Sequence, residues 1–295
     1  MWALKTTSPS DYVQALYHCY GVLSIYKRIL LISLEPSMFP WLLKYYGDIV
    51  RLDRITWIRR DRIERGVVYR IEPMPRFNMG SSKRIVLPRP RIPRGVDAAE
   101  ALLTRRSVRS FSREPISIDT LSTLLYIAFG VTRWEEGVYG YRVYPLRSFP
   151  SAGALQPVEI YVSAHRVSGL SMGIYRYIFL DHSLEPIKEG DYRDLLREIA
   201  LGQDHVGSSA STIIFTILWA RSAWKYGSRG YKYSLLDTGF AGENLYIAAK
   251  ILGLGTCAVG AFYEEDLCSL LGIDCISEIP VLLMPVGYSS DNGSQ

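Results

Sequence analysis

Cysteine is scarce. The chain of 295 residues has four, Cys19, Cys257, Cys268 and Cys275, with no CxxC pair. Such spacing supplies neither a zinc-binding knuckle nor the dense cross-linking of a small secreted scaffold, so reduced thiols in a cytoplasmic setting are the expectation. Histidine is equally sparse: His18, His165, His182 and His205 show no HxxxH spacing, and no metal site is expected. No apolar run is long enough for a bilayer, since residues 21–34 are interrupted by Lys27 and Arg28, and the first twenty residues lack a basic start followed by an apolar stretch. No membrane association is expected. A GxGxxG run following a strand is missing as well, which removes the dinucleotide-binding fingerprint. Charged residues make up only 21% against 48% hydrophobic, which excludes a solvated, disordered chain.

The charge that is present is unevenly distributed. Residues 1–114 carry 21 Lys or Arg against 10 Asp or Glu, a balance of +11, and residues 115–295 carry 13 against 19, a balance of −6. A basic half suits nucleic acid, an acidic surface or a phosphorylated small ligand, and net charge alone does not choose among them.

Residues 1–84 read as an N-terminal accessory region of mixed helix and loop that ends in a basic, proline-rich connector, with Pro73, Pro75, Pro88, Pro90 and Pro93 across and just beyond the boundary. Residues 85–295 form the second domain. There Asp97 with Glu100 resembles a capping box opening a helix over residues 98–104. Ser117 caps a second helix whose Leu121, Leu124, Leu125, Ala128 and Phe129 share one face, and Gly130 stops it. Residues 158–164, 174–180 and 212–220 read as strands. Residues 237–252 read as a helix whose Gly239 and Gly242 imply a close-passing backbone, followed by a strand over 255–262, a helix over 264–271 and a strand over 279–286. Helices and strands without regular βαβ alternation indicate an α+β domain.

Three segments could carry chemistry. Arg105, Arg106, Ser107, Val108 and Arg109 follow the first helix; in extended chain Arg105, Ser107 and Arg109 share one side, and guanidinium forks suit phosphate oxygens or a flat carbonyl edge. An Arg-rich helix end also suits a solvated face at the helix dipole. The run Pro150, Ser151, Ala152, Gly153, Ala154 and Leu155 is small enough to lie against a planar ring, or to be simply a tight turn. The Gly-rich run over 253–262 includes Ala258, Val259 and Gly260, and Cys257 within it reads as a core residue.

Taken in order, RRSVRSF at 105–111, PSAGALQPVEIYV at 150–162, YGSRGYKYSLLDTG at 226–239, GLGTCAVGAF at 253–262 and MPVG at 284–287 resemble the FMN-dependent nitroreductase superfamily, in particular its SagB-type dehydrogenase branch, which includes azoline-oxidising enzymes of peptide biosynthesis. The resemblance covers residues 85–288, and extends more faintly to Tyr17, His18 and the 85–88 connector. It implies a nitroreductase-like fold, an antiparallel-rich central sheet flanked by helices, in a homodimer with FMN at the subunit interface. Arg105 and Ser107 would hold the phosphate and ribityl end and Arg109 the pyrimidine edge. The 150–155 loop would come from the opposite subunit, and backbone near Ala258, Val259 and Gly260 would face flavin N5. Two departures stand out: Ala154 replaces an asparagine common in the family, and no cation follows Gly287, so Arg106 or a basic residue from 76–94 would complete the phosphate site.

A Lys–Tyr pair serves proton removal in azoline-oxidising relatives, and Lys232 with Tyr233 match it, although Tyr231, Lys232 and Tyr233 also read as an amphipathic strand with a solvated amine. The resulting expectation is a flavin oxidoreductase with ping-pong kinetics. It would oxidise a peptide-borne azoline, or reduce a small nitro compound or quinone with NAD(P)H. The alternatives are a flavin-binding protein without turnover and a basic RNA-binding protein; no recognisable RNA-binding module is present and no nucleic-acid partner is expected.

Overall fold

The computed structural model describes residues 77, 79–81 and 83–290. Tyr17, His18 and nearly all of the expected accessory region lie outside the described residues. Strand β1 is Ile85–Val86, helix α1 Ala98–Thr104, β2 Ile116–Ser117 and α2 Ile118–Phe129. Both helix starts follow the sequence signals: the Asp97 carboxylate accepts the N–H of Ala99 at 2.7 Å, and Ser117 Oγ accepts that of Thr120 at 3.0 Å. Gly130 ends α2 with an ordinary φ of −68°, and it is required for space, because a Cβ there would lie 2.6 Å from the Tyr126 carbonyl oxygen.

A hairpin of β3 (Val131–Glu136) and β4 (Val143–Arg147) comes next, turning through a 3-10 segment at Val138–Gly140. After a second 3-10 segment at Ala152–Ala154 come β5 (Val158–Ala164), β6 (Val167–Ser168), β7 (Gly173–Ile178) and β8 (Ser183–Glu189). Helices α3 (Arg193–Ile199) and α4 (Asp204–Ser208) precede β9 (Ser211–Ile217). The remainder is α5 (Ala220–Tyr226), α6 (Arg229–Ile251), β10 (Gly255–Thr256), α7 (Glu264–Leu271) and β11 (Ile279–Gly287).

Among the described residues the main sheet has seven strands in the order β1-β8-β7-β5-β9-β11-β10, every pairing antiparallel. Strands β5 and β9 are buried along their whole length, so the period-two alternation sends successive side chains into different cores. Ile160, Val162, Ile213 and Phe215 pack with Leu121, Leu125, Ala241 and Leu245 of α2 and α6. Tyr161 and Ile214 pack instead with Leu196 of α3 and Leu267 of α7. This is the α+β, helix-flanked antiparallel sheet expected.

Several local expectations are corrected. Helix α6 begins at Arg229 rather than Asp237, which makes Tyr231, Lys232 and Tyr233 helical and removes the strand reading of them. Among the described residues, a Cβ on Gly239 would meet nothing within 4 Å, and one on Gly242 would touch only the Leu282 and Met284 side chains, so no described backbone passes close to either. The strand expected over 255–262 is paired only at Gly255–Thr256, because the chain then turns out to bridge Val259 with Leu283. Cys268 and Cys275 are joined in a disulfide. The left-handed Gly272 that ends α7 turns the chain back and brings their Cα atoms within 5.7 Å, a pairing that CxxC counting does not reveal. Among the described residues Cys257 is the free thiol, and it is buried.

Candidate functional site

Helix α1 stops where Arg105 turns to φ −58°, ψ 143°, and the chain runs extended beside β10. Ser107 bridges Thr256, and the Val108 N–H donates to the Thr256 carbonyl at 2.9 Å. That approach needs glycine at 255, where a Cβ would lie 2.6 Å from Val108 Cβ. Arg105 donates from Nε to Glu243 Oε1 at 3.0 Å and lies over the Tyr246 ring, 5.1 Å from its centroid. The Tyr246 hydroxyl is 3.0 Å from Ser107 Oγ and accepts the Ala258 N–H at 2.8 Å. Arg105, Ser107 and Ala258 therefore gather around one α6 tyrosine. Arg106 donates to the Leu103 and Arg105 carbonyls, which occupies one of its nitrogens at the end of α1. Arg109 is exposed; burial, and after it the charge of Arg109, lowers the pKa of His205.

The turn after β10 is held from beneath. Val259 is buried and exchanges both backbone bonds with Leu283, at 2.8 and 3.0 Å, while Ala258 and Gly260 remain exposed. A Cβ on Gly260 would meet nothing within 4 Å. Gln203 Nε2 reaches the Ala261 carbonyl at 3.1 Å. An exposed backbone edge beside exposed guanidinium groups fits a flat, phosphorylated heterocycle.

The 150–155 loop is fixed by side chains from four other elements. Buried Asp237 of α6 accepts Ser151 Oγ–H at 2.6 Å and the Ala152 N–H at 3.0 Å. Burial pushes its carboxyl up to about 6 against the pull of those two donors. Tyr139 donates to the Gly153 carbonyl and Tyr144 to that of Ala154, both at 2.6 Å. Gly153, Ala154 and Gln156 all have left-handed φ, near +55°, a strain that these bonds sustain. Fully buried Arg221 donates to Glu159 Oε1 at 2.5 Å and to the Gln156 carbonyl at 2.9 Å, anchoring the loop's far end. Pro150 is exposed and Leu155 buried.

Within one chain these segments do not converge. Asp237 and Tyr246 are roughly 13 Å apart along α6, at about 1.5 Å per residue. Arg84 pairs with Asp181 and Arg91 with Asp119, so these two cations of the 76–94 segment are engaged elsewhere. Lys232 and Tyr233 sit on the first turns of α6, where the Tyr233 hydroxyl accepts from Arg229 Nε at 2.9 Å and its ring stands edge-on to Tyr226 at 4.9 Å. A second Lys–Tyr pair, Lys225 and Tyr226, lies directly against the 150–155 loop: Lys225 Nζ donates to the Tyr139 hydroxyl at 2.9 Å. Tyr246, Asp237, Tyr139 and Lys225 were not singled out from the sequence. The one available signal was Asp237, a carboxylate in the same buried stripe as Ala241, Leu245 and Ala248.

Residues 102–288 match the model of the nitroreductase family. A Methanocaldococcus jannaschii protein bearing the name nitroreductase, MJ1384, is 37% identical over 188 residues, which cover 64% of this chain and 89% of that protein. The Escherichia coli microcin B17-processing protein McbC is 24% identical over 151 residues, half of this chain and 56% of McbC. A crystal structure of a Ralstonia eutropha protein described as a nitroreductase superposes with a TM-score of 0.58 at 26% identity, covering 76% of this chain and 97% of that one. Among the described residues no helix is long and apolar enough to cross a membrane.

Proposed function

The chain belongs to the nitroreductase family of oxidoreductases, and from that premise we propose that it binds FMN between two copies of itself and uses it to oxidise or reduce a small molecule or a peptide-borne heterocycle. The observation that carries this reading is the Tyr246 cluster, which gathers Arg105, Ser107 and the exposed Ala258 around one α6 tyrosine. Arg105, Arg106 and Ser107 would hold the phosphate and ribityl end, and Arg109 the pyrimidine edge. A guanidinium there stabilises negative charge that accumulates on a reduced ring. When bound, FMN supplies two-electron chemistry, exchanging a hydride equivalent at N5. The backbone of Ala258, Val259 and Gly260 would border that atom, held rigid by Leu283 and Gln203.

A homodimer accounts for the separation along α6. Residues Pro150, Ser151, Ala152, Gly153, Ala154 and Leu155 would then cover the ring held by the other copy's arginines. Leu103, Leu236 and Phe240, exposed at 75%, 53% and 48%, support a partner on the α1–α6 side, as does the open space at Gly239. Residues 1–84 would form an accessory region to this unit.

On the substrate side, Lys232 with Tyr233 would take or give the proton that accompanies hydride transfer. Similarity to a microcin-processing protein supports a peptide-borne azoline as substrate, and similarity to MJ1384 supports a small nitro compound or quinone reduced with NAD(P)H. A donor and an acceptor sharing one pocket give ping-pong kinetics. The test is purification followed by reductive titration: yellow dimeric protein with near-stoichiometric FMN, bleached by NADPH or by an azoline peptide, is the expected result. A colourless preparation with high absorbance at 260 nm would sink the reading. Which of the two reductants bleaches the flavin separates the substrate classes.

A further inference from the structure

Three polar groups converge on the one glycine of the 150–155 loop. A Cβ on Gly153 would lie 2.6 Å from the Tyr226 hydroxyl, 3.2 Å from that of Tyr139 and 3.3 Å from Lys225 Nζ. The hydroxyl of Tyr139 is the hinge of this group, since it accepts from Lys225 Nζ at 2.9 Å and donates to the Gly153 carbonyl at 2.6 Å. Tyr139 is itself in the left-handed region (φ 51°, ψ 31°) between two left-handed glycines, Gly137 and Gly140, at the tip of the β3–β4 hairpin. A tyrosine held there at a backbone cost needs compensation from its surroundings. That compensation comes from the two hydrogen bonds and from edge-on rings, Tyr144 at 5.7 Å and Trp224 at 5.4 Å.

We propose that Tyr139 is a positioning residue: its hydroxyl fixes the Lys225 ammonium against the loop and shapes the loop through the Gly153 carbonyl, so that a substrate atom gaining negative charge meets a preset cation. This rests on the reading that the loop covers the flavin. It points to substrates with a carbonyl, nitro or ring-nitrogen acceptor at the reacting end, where a fixed cation is worth more than a mobile one. Lys225 is half-buried, and its pKa is raised chiefly by the bond to Tyr139, against the opposing effect of burial. The titratable groups packed about the loop are Tyr139 from the hairpin, Tyr144 from β4, Tyr226 from α5 and Asp237 from α6.

Tyr139→Phe keeps the ring packing and deletes both bonds. Two readouts on the purified holoprotein test the proposal. One is competitive acetylation of Lys225 with acetic anhydride at pH 8, read by mass spectrometry against Lys188, whose amine is bonded to the Ser269 carbonyl instead. The other is reoxidation of dithionite-reduced protein by 1,4-benzoquinone. The variant should retain its flavin, acetylate Lys225 about threefold faster or more, and reoxidise about tenfold more slowly. Unchanged labelling, or unchanged reoxidation with flavin bound, overturns the proposal. Should Tyr139→Phe fail to fold, Lys225→Gln must reproduce the slow reoxidation, and a normal rate overturns it equally. A colourless wild-type protein would sink the flavin reading separately and leave the labelling to decide the contact.

Discussion

The Tyr246 hydroxyl stands 3.0 Å from Ser107 Oγ while accepting the Ala258 N–H, so one residue of α6 fixes two segments that are far apart in the chain. Arg105, stacked on the same ring, completes the cluster. Its ion pair with Glu243 is solvent-exposed on both sides, at 37% and 43%, and such pairs add no more than about 1 kcal/mol. Replacing Arg105 with alanine should therefore release most bound FMN while lowering Tm by no more than about 3 °C. Tyr246→Phe, which frees two segments at once, should weaken FMN about tenfold. Equilibrium dialysis and thermal melts check both. An Arg105→Ala protein that stays fully yellow would remove this arginine from the site.

Lys232 and Lys225 each precede a tyrosine, and the geometry separates what each should do. Lys225 is tied to the loop through Tyr139, whereas Lys232 lies on the first turns of α6. Lys232→Ala should leave FMN bound and reduce azoline oxidation by about a hundredfold, the scale of a lost proton-transfer group. Reduction of a quinone, which can take its proton from water, should fall far less. If the variant oxidises azolines at the normal rate, the proton role belongs elsewhere, and Lys225 is the next residue to test.

Much of the fold was legible because its signals are local. Asp97 and Ser117 cap the helices they were expected to cap, and the apolar runs at β5, β9 and β11 fall within the central sheet. The start of α6 was not legible, because Gly230 and alternating aromatics argue against a helix there. Only tertiary packing explains Gly230, whose Cβ would lie 2.4 Å from the Ala223 nitrogen where α5 and α6 touch. The three site motifs could be read as small, basic or glycine-rich segments. Their holders could not: a helix tyrosine such as Tyr246 or a hairpin tyrosine such as Tyr139 looks like ordinary packing until its hydroxyl partners are seen.

The Cys268–Cys275 disulfide also escaped the spacing argument, and the thiol ground for a cytoplasmic setting goes with it. It closes a short loop, with a sequence separation of 7, between α7 and the segment leading to Glu278. Loop-closure entropy for so short a ring is worth roughly 2 kcal/mol. Reduction, or the Cys268→Ser and Cys275→Ser double variant, should lower Tm by roughly 4–8 °C. Thiol titration of the denatured protein before and after reduction confirms the bond. An unchanged Tm in reductant would mean that the fold does not depend on it.

Buried Asp237, buried His165 and half-buried His182 give stability opposing dependences on pH. Asp237 is pushed up to about 6 by burial, from an ordinary 3.8, so its contribution is complete below about pH 4 and is lost as pH rises through about 6. His165 is lowered to about 4 by burial, and so is His182, whose ring bonds Ser122 and Tyr177. Their contributions are complete above about pH 6.5 and are lost as pH falls through about 4. Asp237→Asn removes only the first of these. The Asn carbonyl can still accept one donor from Ser151 or Ala152, so a constant loss is expected, and superimposed on it a pH-dependent difference. Relative to wild type, the variant should gain on the order of 3 kcal/mol between pH 4 and pH 7.5. His165→Gln should show the reverse trend, losing less than wild type on acidification. Urea unfolding at a series of pH values measures both. Parallel curves for Asp237→Asn and wild type would mean that the carboxylate is already ionised in the fold near its usual pH, and that Ser151 and Ala152 offset its burial fully.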